Sequence, residues 1–197
     1  AHRRLLILSA HASEAVLNKL KEPIKAAVRR GVHVDILCGL PSLDEDGELH
    51  AKTTKKWLQE IRKSLSDGSG DHLTVNEEPL NSDAKLLIWD TPDGYYHAIV
   101  SSYNWLYGLD GSLSECLGTE IGIRLSNPQL IGNICTTLSG WIDACGQQLN
   151  GVALRWRNIG RNLATKKEFS STSADATTAT KARVIYDETH AKILQEG

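Results

Sequence analysis

Apolar positions along the chain switch between strand-like runs and helical spacing, and the switches predict the elements. Arg4 to Ala10 is a short apolar run with strand character. Ser13 suits a helix N-cap, and beyond it Val16, Leu17, Leu20, Ile24, Ala27 and Val28 recur at helical spacing up to Arg30. Pro23 predicts a kink or the start of a second short helix, and Gly31 stands where a helix C′ residue belongs. Val32 to Leu40 is almost continuously apolar, as expected of a strand covered on both faces. Strand, helix and strand in that order imply a right-handed crossover between parallel strands.

Pro41 to Gly47 then reads as an acidic loop. Glu48 to Ser64 reads as an exposed helix with Trp57, Leu58 and Ile61 on one side. Asp67 to Asp71 is a glycine-rich break, and His72 to Asn76 a third short strand. Lys85 to Asp90 and Tyr95 to Val100 form a predicted hairpin about Thr91-Pro-Asp-Gly94, where proline fixes one φ and glycine accepts a positive one. After a loop from Tyr107 to Gly118, Thr119 to Leu125 is another strand. A helix from Pro128 to about Cys145 follows, with Leu130, Ile131, Ile134, Leu138, Trp141 and Ile142 as its apolar stripe. The expected class is α/β: a mixed, largely parallel β-sheet flanked by helices on both faces.

The character changes after Leu149. Val152 to Lys167 is basic, with Arg155, Arg157, Arg161, Lys166 and Lys167, and reads as an amphipathic surface helix or as a nucleic-acid contact. Ser170 to Thr180 is a Ser/Thr/Ala tract expected to be a linker. Strand character returns at Val184 to Tyr186, ahead of His190-Ala191-Lys192. The expected organisation is one domain over 1–148, a basic segment and linker over 149–182, and a further element over 183–197.

Composition narrows the classes. With 197 residues, of which 41% are hydrophobic, the chain can build a real core. No apolar run approaches membrane-spanning length, and Leu5 to Leu8 is too short for a signal peptide, so a cytoplasmic protein without a membrane partner is expected. The absence of an initiator Met suggests a piece of a longer protein. A net charge of −2 argues against a generally basic nucleic-acid binder, although a local patch fits within it. Cys38, Cys116, Cys135 and Cys145 lack CxxC spacing and read as buried reduced thiols. No metal cluster emerges, no glycine-rich loop precedes a helix as a nucleotide cradle would, and no cofactor is expected. His97 reads as a packing or surface residue, His33 as facing one side of a sheet; His2, His11 and His72 show no partner spacing.

Lys85 and Asp90 have the separation found in an H-x-K-x4-D motif, and Ser102-Tyr103-Asn104 supplies a downstream Ser/Thr-x-Asn element. Arg30-Gly-Val-His-Val-Asp-Ile-Leu37, Asn104-Trp105 and the Glu120-Ile-Gly-Ile strand surround it in order. In these features residues 4 to 148 resemble the phospholipase D-like superfamily. The resemblance implies metal-free phosphodiester cleavage, in which the motif histidine attacks phosphorus to give a phosphohistidine and a partner histidine protonates the leaving oxygen. It also implies that Lys85 and Asn104 stabilise phosphoryl charge, Ser102 holds phosphate, Glu120 orients the imidazole and Asp90 is chiefly structural. The chain departs from the pattern at Asp83, which occupies the nucleophile's position: the motif is either naturally degenerate or altered from a parental histidine. His190 and Lys192 resemble the front of a second motif, or belong to an ordinary tail; the same H-x-K spacing at His50 to Lys52 falls on a predicted helix without meaning.

The resemblance therefore implies a nuclease-type phosphodiesterase acting on nucleic acid, DNA foremost. A non-catalytic domain that binds nucleic acid or scaffolds a complex is the first alternative, and a phospholipid hydrolase or transferase the second. With one motif damaged and the other incomplete, a homodimer or larger complex is expected.

Overall fold

The computed structural model describes residues 1–40, 58–60, 62–64, 72–107, 120–146, 149–165 and 183–187. Among these, seven strands form one mixed sheet: β1 (Arg4–Ser9), β2 (His33–Cys38), β3 (Leu73–Val75), β4 (Leu86–Asp90), β5 (Tyr96–Ser101), β6 (Glu120–Leu125) and β7 (Arg183–Asp187), in the order β3-β2-β1-β4-β5-β6-β7. Helix α1 (Glu14–Arg29) joins β1 to β2, and α2 (Pro128–Ala144) and α3 (Asn150–Thr165) follow β6.

The α/β class, with helices on both faces, is as expected. Parallel pairing is confined to one end, where β1 pairs with β2 and β2 with β3. The other four pairings are antiparallel. Connection length explains part of this, because the five residues between β4 and β5 permit only a hairpin. Its turn closes as the sequence predicts, with Gly94 at φ +79° and its N–H donating to the Thr91 carbonyl at 2.9 Å.

Helix α1 begins and ends where its residues dictate. The Ser13 hydroxyl accepts the Val16 N–H at 3.4 Å, and Gly31 takes φ +82° just past the last turn. Pro23 starts no second helix. It lies on the exposed side of one continuous helix, so the carbonyl its ring leaves unpaired faces water. Leu17, Ile24, Ala27 and Val28 of α1, together with Leu58, bury one sheet face through Ile7, Val34, Ile36 and Val75. Helices α2 and α3 bury the other through Leu6, Leu8, Leu37, Leu86, Ile88 and Ala98.

Two expectations about those helices are revised. The α2 stripe is narrower than predicted: Ile131, Cys135, Leu138 and Ile142 are buried, whereas Leu130 and Trp141 are exposed on its flank. The basic segment is less a surface helix than a layer of the core, because Trp156 is wholly buried with Val152, Ala153 and Leu163. Two of its arginines are engaged: Arg155 with Asp35 of β2 and Arg157 with Asp143 of α2. Cys38 and Cys135 are buried thiols as expected, but Cys145 is exposed. Trp57, Ile61, Cys116, the 41–47 loop, the 108–118 loop, the 170–180 tract and His190-Ala191-Lys192 lie outside the described residues. Among those described, no helix is long and apolar enough to cross a membrane.

The start of β2 collects unlike groups on the α2/α3 face. His33 and His72 rings lie 4.2 Å apart between centroids, and Arg4 stands in register with His33 across β1. Burial first, then the charges of Arg4, His72 and Arg155, push His33 below its ordinary value of 6.5, with Asp35 opposing. His97, stacked on Trp89, is lowered by burial and then by Arg124, opposed by Asp93. In both cases the unfolded chain takes up protons first as pH falls. The stability these neutral rings confer is thus complete above pH 6.5 and declines below it, towards the depressed folded values. Urea titrations at pH 7.5 and 5.5 should show a smaller loss for His33→Gln/His97→Gln than for the parent. Equal losses would refute the assignment.

Candidate functional site

The end of the sheet where β1 and β2 finish also receives the start of β4, the end of β5 and the start of β6. Four of the residues singled out in the sequence arrive there. Lys85 immediately precedes β4, and its carbonyl accepts the N–H of Ser101, the last residue of β5, at 3.2 Å. Ser102 continues from β5 and clamps β6: its N–H donates to the Ile121 carbonyl at 2.9 Å, and its Oγ accepts the Ile121 N–H at 3.0 Å. Asn104 lies beyond it, and its Oδ1 accepts the His11 N–H at 3.2 Å, which leaves the Nδ2 hydrogens as its donors. Glu120 opens β6 at the same end of the sheet.

Side-chain and backbone hydrogen bonds hold this end together. Ser9 Oγ donates to the His11 carbonyl at 2.6 Å and accepts the Leu106 N–H at 3.2 Å, tying the loop after β1 to the loop after β5. The Ser13 N–H adds a 2.7 Å bond to the Leu106 carbonyl. On the other side, Asn76 brackets Cys38, accepting its N–H and donating to its carbonyl, both at 2.8 Å. The Leu80 N–H reaches the same Cys38 carbonyl at 3.1 Å, and the Ser82 N–H reaches the Gly39 carbonyl at 3.1 Å. The segment carrying Asp83 and Lys85 is therefore laid against the end of β2 before β4 begins.

Asp83 and Lys85 form an ion pair. Lys85 Nζ lies 2.7 Å from Asp83 Oδ1 and 2.9 Å from the Asp83 carbonyl oxygen. The two side chains differ sharply in freedom: that of Lys85 is 13% exposed and that of Asp83 is 73% exposed. Most of the Lys85 side chain is covered, whereas that of Asp83 stands in water.

Asp90 is not part of this group. It ends β4, roughly 17 Å along the strand from Lys85. Buried there, its Oδ1 accepts the N–H groups of His2, Arg3 and Arg4 at 3.0, 2.8 and 2.9 Å. Its task is to anchor the entry into β1, in keeping with the structural part the resemblance implies. His190 and Lys192, the possible second motif, lie outside the described residues; β7, which leads towards them, pairs antiparallel with β6.

His11 had no visible partner in the sequence. It lies two residues past the end of β1, contacts Asn104 through its backbone and sets its ring 5.9 Å from that of Tyr107. Position was the available signal, since ligand sites in open α/β sheets gather beyond strand ends. Cys38, also nearby, is no substitute nucleophile: burial pushes its thiol up to about 11, and its Sγ donates to the Leu40 carbonyl at 3.2 Å. Among the described residues no group of three His, Cys, Asp or Glu side chains could hold a metal ion.

Beside Lys85 a groove of about 470 Å³ opens between α2 and the end of the β4–β5 pair. Asp83 and Lys85 line it together with Val100, Leu130, Ile134 and Trp141. Nothing in the chain's pattern pointed to it, because helical periodicity assigned Leu130 and Trp141 to the core. Comparison with protein-family models, curated proteins and solved structures finds no match for this chain.

Proposed function

We propose that this chain is a phospholipase D-like phosphodiesterase domain of the nuclease type, whose first motif holds phosphate but does not supply the nucleophile. The observation that carries this reading is the convergence of Lys85, Ser102, Asn104 and the start of β6 at one sheet end, with Lys85 largely enclosed. A fixed ammonium and an amide whose oxygen is already engaged are suited to the non-bridging oxygens of a phosphodiester. Cleavage by the route the resemblance implies needs an imidazole at position 83. Its nitrogen would bond to phosphorus, the bond to the leaving oxygen would break, and that oxygen would take a proton from a partner histidine. Water would then cleave the P–N bond. A carboxylate at 83 offers no neutral nitrogen and repels the incoming phosphate.

The ion pair itself favours the second reading, a non-catalytic domain that binds nucleic acid or scaffolds a complex. Asp83 neutralises Lys85 in the absence of ligand, as a stand-in anion would. In the catalytic reading a second motif, His190 with Lys192 or one on another copy of the chain, would supply a histidine; in either reading a homodimer or larger assembly is the expected state.

Cleavage of single- and double-stranded DNA in EDTA tests the proposal. The protein with Asp83 should be inactive or depend wholly on a motif elsewhere, and Asp83→His should gain metal-independent cleavage. A strict Mg²⁺ requirement, or no gain in a variant shown to be dimeric, would refute the catalytic reading. Asp83→Asn should tighten DNA binding by about fivefold at low salt, an effect that shrinks as salt screens the removed charge. Unchanged affinity would remove Lys85 from the binding site.

A further inference from the structure

The groove beside Lys85 has a lining that the phosphate reading leaves unused. Leu130, Asn133, Ile134, Thr137 and Trp141 recur three and four residues apart along α2 and all face it. Opposite them stand Leu86 and Val100 of the β4–β5 pair. Trp141 is 48% exposed and Leu130 and Val100 are also exposed, although each is large and apolar. Asn133 and Thr137, one helical turn apart, add an amide and a hydroxyl to the same wall.

From this lining we infer that the groove accepts an unstacked nucleobase of a single-stranded nucleic acid whose phosphodiester contacts Lys85, with Trp141 as the stacking surface. The inference rests on the phosphodiester reading of Lys85 and adds to it a strand preference and the residue that sets it. The chemistry matches on each side. A base presents flat apolar faces to Trp141 and the aliphatic wall, and a polar edge to Asn133 and Thr137. An alkyl chain has nothing to offer the amide and hydroxyl. At one end Lys85 and Asp83 line the groove as an ion pair, and the ammonium is complementary to a phosphodiester once the carboxylate is displaced. Because the Asp83 side chain is largely in water and that of Lys85 is not, an arriving phosphate displaces the carboxylate and leaves the ammonium in place. A duplex could enter only after unpairing and unstacking a base, so single strands are preferred.

Titration with a short mixed-sequence oligonucleotide, its duplex and phosphatidylglycerol vesicles tests this, read by tryptophan fluorescence and anisotropy. The single strand should bind on the order of tenfold more tightly than the duplex and change the Trp141 emission. Trp141→Ala should abolish that preference while leaving duplex affinity in place, and Trp141→Phe should retain most of it. Lys85→Ala should weaken both strand forms. Equal affinity for the two forms, unaffected by Trp141→Ala, would overturn the base site and leave the Lys85 reading standing. No binding of either form would overturn both. A response to vesicles alone would assign the groove to lipid chains instead.

Discussion

Gly39→Ala should destabilise the protein by about 3 kcal/mol or more and disorganise the proposed phosphate site at the same time. The reason is contact with backbone, not conformational freedom. A Cβ on Gly39 would lie 1.8 Å from the Ser82 carbonyl oxygen, 3.0 Å from the Ser82 carbonyl carbon and 3.3 Å from the Ala10 Cα. No rotamer change relieves such a clash, because all three atoms are main chain. Relief requires the 80–85 segment to move away from the end of β2, which breaks the bond from the Ser82 N–H to the Gly39 carbonyl. The bonds from the Gly39 N–H to Ser9 at 2.8 Å and from the Leu40 N–H to Ala10 at 2.6 Å are strained as well. Since Asp83 and Lys85 follow directly, lost stability and loss of the proposed DNA binding should appear together. Gly140→Ala is the matched control: a Cβ there meets nothing within 4 Å, in an exposed turn of α2, so it should be neutral or slightly stabilising. Urea denaturation of the two variants checks the pair. A Gly39→Ala protein as stable as the parent would mean that the close approach of Ser82 to β2 is not present.

That contact also shows where sequence reading stops. The hairpin, the Ser13 cap and the Gly31 terminus are written locally, in turn chemistry and periodicity, and they appear close to where those rules put them. The motif residues Lys85, Ser102 and Asn104 were legible as a pattern, and all three lie at one end of the sheet. Asp90, part of the same pattern, belongs to the other end, because spacing along a strand says nothing of what crosses it. The need for glycine at position 39 comes from Ser82, more than forty residues away, and nothing near Gly39 signals it. Periodicity likewise gave Trp141 to the core, since it reports that a residue is apolar and not which of two neighbouring helix faces is covered. His33 and His72 were read as unrelated, yet β2–β3 pairing stacks them.

Arg155→Met should cost about 3–5 kcal/mol, more than its place in a basic helix would suggest. Asp35 sits within a strand whose neighbours are apolar, and it is 1% exposed. Adjacent residues of α3 satisfy its two oxygens separately: Arg155 Nη2 donates to Oδ1 at 2.7 Å and Trp156 Nε1 to Oδ2 at 2.8 Å. Removing the guanidinium leaves a buried carboxylate with one neutral donor, and the cost is chiefly that of the uncompensated charge. Asp35→Leu/Arg155→Met removes both charges and should therefore recover much of the loss, a non-additivity that a double-mutant cycle in urea measures directly. Losses that simply add would show that the pair is not coupled. The same experiment bears on function. A guanidinium committed to Asp35 has little to offer a phosphate, so Asp35→Leu/Arg155→Met should leave the proposed DNA binding intact, whereas Lys85→Ala should not. If instead the double variant lost DNA binding while remaining folded, α3 and not the Lys85 end of the sheet would be the nucleic-acid surface.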